Sequence, residues 1–159
     1  MEYFYKDIRS PVGKLRLVAS SNGLAAVLWE NDKPNRTRVR IYVEDNAHSI
    51  LLEAERQLNE YFEGKRTTFS LVLTPDGTAF QKEVWNALRC IPYGQTRTYT
   101  DIARQLDNIK AVRAVGAANG RNPISIIVPC HRLLSSSGHL TGFAGGLEAK
   151  AWLLSHERK

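Results

Sequence analysis

Two cysteines in 159 residues, Cys90 and Cys130, forty positions apart, exclude a disulfide framework and a zinc site built from closely spaced Cys and His pairs. No apolar run approaches the roughly 18 residues of a membrane span. The opening MEYFYKDIRS has no positive stretch followed by an apolar segment, so a secretion signal is not expected and the chain reads as cytoplasmic. No phosphate-cradling glycine fingerprint follows a strand, and no nucleotide or metal cofactor is expected. Acidic residues are scarce in one half only. Residues 1–76 hold eleven basic and eleven acidic side chains and residues 77–159 eleven and five, so the net charge of +6 belongs to the C-terminal half. A basic surface of this kind suits a polyanion, although a basic face with no nucleic-acid role would look the same.

What remains is ordinary globular composition, 43% apolar, enough for one compact domain or two small ones. Residues 2–8, 14–20 and 24–29 read as short strands separated by Ser10-Pro11-Val12-Gly13 and Ser21-Asn22-Gly23, the latter holding an Asn-Gly hairpin signal. From about 47 to 63, Ile50, Leu51, Ala54, Leu58, Tyr61 and Phe62 recur at helical spacing before Gly64. This half, residues 1–74, predicts an α+β unit of antiparallel strands and a covering helix with a structural role. The turn cluster Thr74-Pro75-Asp76-Gly77 separates it from residues 77–159.

Thr78 precedes Gln81 by three, a capping-box pattern, and Phe80, Val84, Trp85 and Leu88 supply an apolar face until Pro92. Cys90 falls on that apolar side and is expected in the core. Thr98 and Asp101 open a second helix with Ile102, Ala103 and Leu106. After Asp107-Asn108 a third helix follows, ending by Gly120 and Pro123. Helix, tight turn, helix is the helix-turn-helix pattern. The third helix is built of Ala111, Ala114, Gly116, Ala117 and Ala118, with Arg113, Asn119 and Arg121 expected to protrude. So few base-reading side chains favour backbone and shape binding over sequence readout, while small residues could equally serve packing against Trp85.

Ile126-Ile127-Val128-Pro129-Cys130-His131-Arg132 ends an apolar run on a cysteine beside two potential cations. The thiolate is the nucleophile and cationic neighbours favour it, so Cys130 is a candidate reactive thiol; the alternative is an inert apolar residue closing a strand. If the segment is extended, Cys130 and His131 point apart and a direct hydrogen bond is awkward.

Three stretches taken together decide between these readings: IPYGQTRTYTDIARQL from Ile91, KAVRAVGAANGRNPISIIVPCHR, and GFAGGLEAKAWLLSHE. They resemble the O6-methylguanine-DNA methyltransferases, which move an alkyl group from guanine onto their own cysteine. The resemblance covers about Gly77 to Glu157 and is loose before that. It implies a small N-terminal antiparallel-sheet domain and a C-terminal helical, winged-helix-like domain. It also implies a monomer acting once on double-stranded DNA that contains O6-alkylguanine, with O4-alkylthymine a further candidate.

By that resemblance Cys130 is the acceptor, His131 activates it through a bridging water, and Glu157 orients His131. Tyr99 bonds the flipped guanine, and Asn122 supports the turn below the site. Arg113 enters the duplex in place of the extruded nucleotide, on a DNA face that includes Thr98, Tyr99, Ala114, Gly116 and Arg121. Thr141 to Gly146 form a flap whose Phe143, Ala144 and Gly145 border the substrate pocket. Phe143 and Ala144 stand where many members have tyrosine or serine, so hydroxyl contacts from these positions are lost. The resemblance implies no cofactor; zinc-binding members exist, but no matching Cys and His set occurs in this N-terminal half. Two other classes compete: a module that binds alkylguanine without reacting, which the cysteine within PCHR disfavours, and a winged-helix regulator with a sensing thiol, which the residue-poor recognition helix disfavours.

Overall fold

The computed structural model describes residues 2–40, 42–140 and 142–159. Strands β1 (Phe4–Ser10), β2 (Gly13–Ala19), β3 (Leu24–Trp29) and β4 (Val43–Glu44) form one sheet in the order β3-β2-β1-β4. The first three pair antiparallel and β4 joins β1 in parallel. Ser10 pairs with Gly13 across a two-residue turn, where Gly13 at φ 101° takes a conformation other residues resist. The expected strands are present, each within two residues of its predicted ends; β4 carries no periodic signal and was not expected.

Alternation along β2 sends Leu15, Leu17 and Ala19 toward the main core and Val18 into a small second cluster on the other face. Helix α1 (Ser49–Phe62) covers the first face with Leu51, Ala54, Leu58 and Tyr61, and Gly64 at φ 77° ends it. Two capping boxes form, the first of them the one predicted. Thr78 and Gln81 start α2 (Ala79–Arg89), and Thr98 and Asp101 start α3 (Tyr99–Gln105). Asp107, at φ 57°, breaks the chain before a 3-10 turn and α4 (Val112–Gly120). Trp85 Nε1 donates to the Ala118 carbonyl at 2.8 Å, so the small residues of α4 do pack against α2.

The two halves share one core. Strand β3 is buried along its whole length because the C-terminal half lies against it: Val27 N donates to the Pro123 carbonyl at 2.9 Å, and Trp29 Nε1 donates to Ser125 Oγ at 3.0 Å. Leu24 also exchanges backbone hydrogen bonds with Val72 and Thr74. Helix α5 (Leu147–Glu157) returns to this junction. Its buried residues include Lys150, His156 and Glu157 besides Leu153 and Leu154, so polar groups enter the core where the two halves meet.

Candidate active site

The approach to Cys130 is an irregular turn held from within. Asn122 Nδ2 donates to the Val128 carbonyl at 2.9 Å, and its Oδ1 accepts from Ile124 N at 3.0 Å, bonds that tie the turn together. Ile126 is fully buried at φ 75°, a left-handed conformation that costs a β-branched residue on the order of 1–3 kcal/mol. The surrounding packing and the Asn122 bonds offset that cost. Cys130–Arg132 then form a 3-10 turn rather than the extended segment expected. Successive side chains are still about 120° apart, so a direct Cys130 to His131 bond remains awkward. The following strand β6 (Leu133–Leu134) pairs in parallel with β5 (Arg97–Thr98), which sets the start of α3, and hence Tyr99, beside the cysteine turn.

The electropositive setting read from His131 and Arg132 is corrected. Arg132 turns away to Glu157, donating Nε to Oε1 at 2.8 Å and Nη2 to Oε2 at 3.0 Å, and donates Nη1 to the Ile91 carbonyl at 2.7 Å. Cys130 is 3% exposed, and burial pushes its thiol up; the opposing influences are the Asn122 side chain and the charges of Arg36 and Lys150. Burial likewise lowers the basicity of His131 against the pull of Glu157, so the imidazole is neutral. At Glu157 burial favours the acid, yet hydrogen bonds from His131, Arg132 and Tyr61 outweigh it and hold the carboxyl below the usual range.

Those donors assign the histidine tautomer. Glu157 is ionised and accepts only, so His131 Nε2, 2.7 Å from Oε2, must carry the proton. Nδ1 is then a lone-pair acceptor. It is buried and makes no hydrogen bond among the described residues, which suits proton uptake from the neighbouring thiol through a bridging water.

A cavity of about 620 Å³ opens nearby between Tyr99, Gly116, Gly120 and Arg121 on one side and Gly142, Phe143 and Ala144 on the other, closed by Lys33 to Arg36 of the N-terminal half. Arg36 lines it and also acts on Cys130. A Cβ at Gly116 would lie 3.7 Å from the Tyr99 ring, an ordinary van der Waals contact, so α4 passes directly beside the tyrosine. Phe143 meets Trp29 edge to face at 5.3 Å between centroids. Arg113 and Ala114 are exposed on α4.

Several expected positions differ. Gly145 does not line the cavity; a Cβ there would come within 2.6 Å of the Trp29 indole, so close packing explains the glycine. Arg121 Nη1 donates to the carbonyls of Asn35, at 2.8 Å, and Arg36, while Thr98 Oγ1 caps α3. Asn119 is buried rather than protruding, because it falls on the α4 face that carries Val115 and Ala118. Cys90 is exposed at the C-cap of α2, two residues beyond the last buried position Leu88, not in the core. Thr141, counted in the flap, lies outside the described residues.

Sequence reasoning missed Arg36 and Tyr61 as site residues. Arg36 sits in a polar stretch with no periodicity. Tyr61 reads as one more apolar position on a helix, and its hydroxyl, donating to Glu157 Oε2 at 2.5 Å, is visible only in three dimensions.

Comparison with known proteins agrees with this geometry. Residues 79–159 match the profile of the 6-O-methylguanine DNA methyltransferase DNA binding domain, and residues 3–75 that of the ribonuclease-like domain of the same proteins. The chain is 47% identical to the methylated-DNA--protein-cysteine methyltransferase of Methanosarcina acetivorans, over 97% of each sequence. It is 43% identical to the constitutive one of Bacillus subtilis, over 98% of this chain and 95% of that protein. The crystal structure of Mycobacterium tuberculosis OGT in complex with DNA superposes with a TM-score of 0.87 at 43% identity, over 99% of this chain and 93% of that one. With both halves matched, the chain belongs to the 6-O-methylguanine DNA methyltransferase family.

Proposed function

We propose that this protein repairs double-stranded DNA by taking the alkyl group of O6-alkylguanine onto Cys130, once per molecule. The observation that carries the reading is a buried cysteine adjoining a neutral histidine whose Nδ1 is an open acceptor and whose Nε2 is held by Glu157. Cys130 Sγ attacks the alkyl carbon; an S–C bond forms as the O6–C bond breaks, and the bonding pair leaves with the guanine oxygen. The thiol proton passes to His131 and the Tyr99 phenol delivers the proton that guanine gains; proton exchange with solvent then returns Tyr99 to the phenol and His131 to the neutral imidazole, so the net transfer is one proton from thiol to guanine. Amides of the 142–146 segment are candidate donors to the departing oxygen. The thioether product is not cleaved by water, so the cysteine is not regenerated.

A stacked base cannot present its O6 substituent to a buried thiol, so the nucleotide must be flipped, with Arg113 filling the gap it leaves. Residues 77–159 carry DNA binding and transfer and residues 1–74 support them. The protein acts as a monomer in the cytoplasm, without a cofactor. Intact-mass analysis after incubation with an O6-methylguanine duplex should show one added methyl, mapped by peptide analysis to Cys130 and not to Cys90. Label on Cys90, or transfer surviving in Cys130→Ala, sinks the assignment.

A further inference from the structure

The carboxylate that orients His131 is shared between the two halves of the chain. Tyr61 stands in the last turn of α1, fully buried, 96 residues before Glu157. Its Oη donates to Oε2, the oxygen that also accepts His131 Nε2, and its own carbonyl accepts from His156 Nε2 at 2.7 Å. The end of α1 is thereby pinned twice to the end of α5. A packing role alone would be met by phenylalanine in the apolar row Leu51, Ala54, Leu58. The buried hydroxyl instead bonds the carboxylate of the relay.

We propose that Tyr61 is a positioning residue of the transfer reaction: by competing with His131 for Glu157 Oε2 it limits the basicity of His131 and so sets the pH at which Cys130 ionises. The inference rests on the relay stated under Proposed function. A carboxylate oxygen divided among three donors is a weaker acceptor toward each, and an imidazolium at His131 gains less from it. Burial and the Glu157 charge keep the Tyr61 phenol protonated, so it remains a donor throughout the working range. The other groups around the pair are Arg132 and Tyr93 beside Glu157, Lys150 and His156 on α5, and Arg36 toward Cys130. All of these persist when only the Tyr61 hydroxyl is changed.

The test is the pH profile of Cys130 alkylation by iodoacetamide, read by mass spectrometry in a Cys90→Ser background. Tyr61→Phe should displace the profile to lower pH by about half a unit, which is roughly threefold faster alkylation below the midpoint. Replacement of Tyr61 by 3-fluorotyrosine, a stronger donor of the same shape, should displace it to higher pH, and decides the matter if the phenylalanine variant does not fold. An unmoved midpoint, displacement in one direction by both variants, or equal acceleration at every pH, as from an opened pocket, overturns the role. Methyl transfer from DNA to Cys130 by the unsubstituted protein is measured beside it. Its failure sinks the proposed function, whereas its success with an unmoved midpoint sinks this inference alone.

Discussion

Arg36 and Arg121 brace each other's segments: Arg36 Nη1 donates to the carbonyls on either side of Arg121, those of Gly120, at 3.2 Å, and Asn122, at 2.7 Å, while Arg121 Nη1 donates to those of Asn35 and Arg36. The exchange fastens the 33–36 loop to the C-terminal end of α4 and to the asparagine under the cysteine turn. Arg36 is oriented for this by two bonds to Asp32. Arg36→Ala is expected to cost about 2 kcal/mol, since charge-assisted bonds to partly buried carbonyls are lost. It should also slow transfer by loosening Asn122 and removing a charge that favours the thiolate. Urea melts and single-turnover rates check both; an unchanged rate would confine Arg36 to stability.

His131→Phe is expected to slow transfer at least tenfold with DNA affinity nearly unchanged, because the imidazole accepts the thiol proton and Arg113 and its surroundings remain. Quench-flow transfer and fluorescence anisotropy separate the two quantities. Equal loss of binding would mean that the histidine supports the fold of the DNA face.

Glu157→Gln should do more than slow the chemistry. Arg132 is buried against this carboxylate, with side-chain exposures of 7% and 1%, and loses its counter-charge in the variant. The expected loss of stability is about 3–5 kcal/mol, read from the denaturation midpoint. A variant as stable as the parent would show Arg132 repaired by another acceptor.

Acid should unfold the protein from neutrality downward. His131 has its folded-state pKa depressed by burial below 6.5, so the unfolded chain binds its proton first and stability falls as pH drops below that value. Glu157, depressed below 4.5, adds a second loss on further acidification. Thermal melts of the wild type should decline between neutral and mildly acidic pH, and His131→Phe should flatten that first segment. A parallel decline in both proteins would assign it to other groups.

Arg113→Ala should impair repair of duplex DNA more than transfer from O6-benzylguanine as a free base, since the free base needs no extrusion. Duplex affinity should vary little with sequence and fall steeply with salt. Equal losses on the two substrates would place Arg113 in the fold or the pocket.

Local rules accounted for most of the elements. The alternation in β2, the apolar row of α1, the Asn22-Gly23 turn and the two Thr capping boxes are short-range signals, and each acts over a few residues that any fold would bring together. The PCHR setting of Cys130 with its flanking stretches carried the family and the main chemical residues. The same local reading misplaced Cys90 and Asn119, because a helical stripe predicted from spacing leaves the residues at its edge undetermined. It also aimed Arg132 at the thiol when adjacency in sequence says nothing of where a long side chain finds its partner.

What the sequence by itself determined, then, is the family, the candidate nucleophile with its adjoining histidine, and the helical frame around them, all encoded in contiguous residues. Only the tertiary structure decided which groups tune them. Tyr61 reaches Glu157 because α1 and α5 end side by side, and Arg36 reaches Asn122 because the 33–36 loop lies on α4. These bonds join residues 96 and 86 positions apart, a separation at which periodicity and local propensity carry no information and only the packing of one shared core sets the distance.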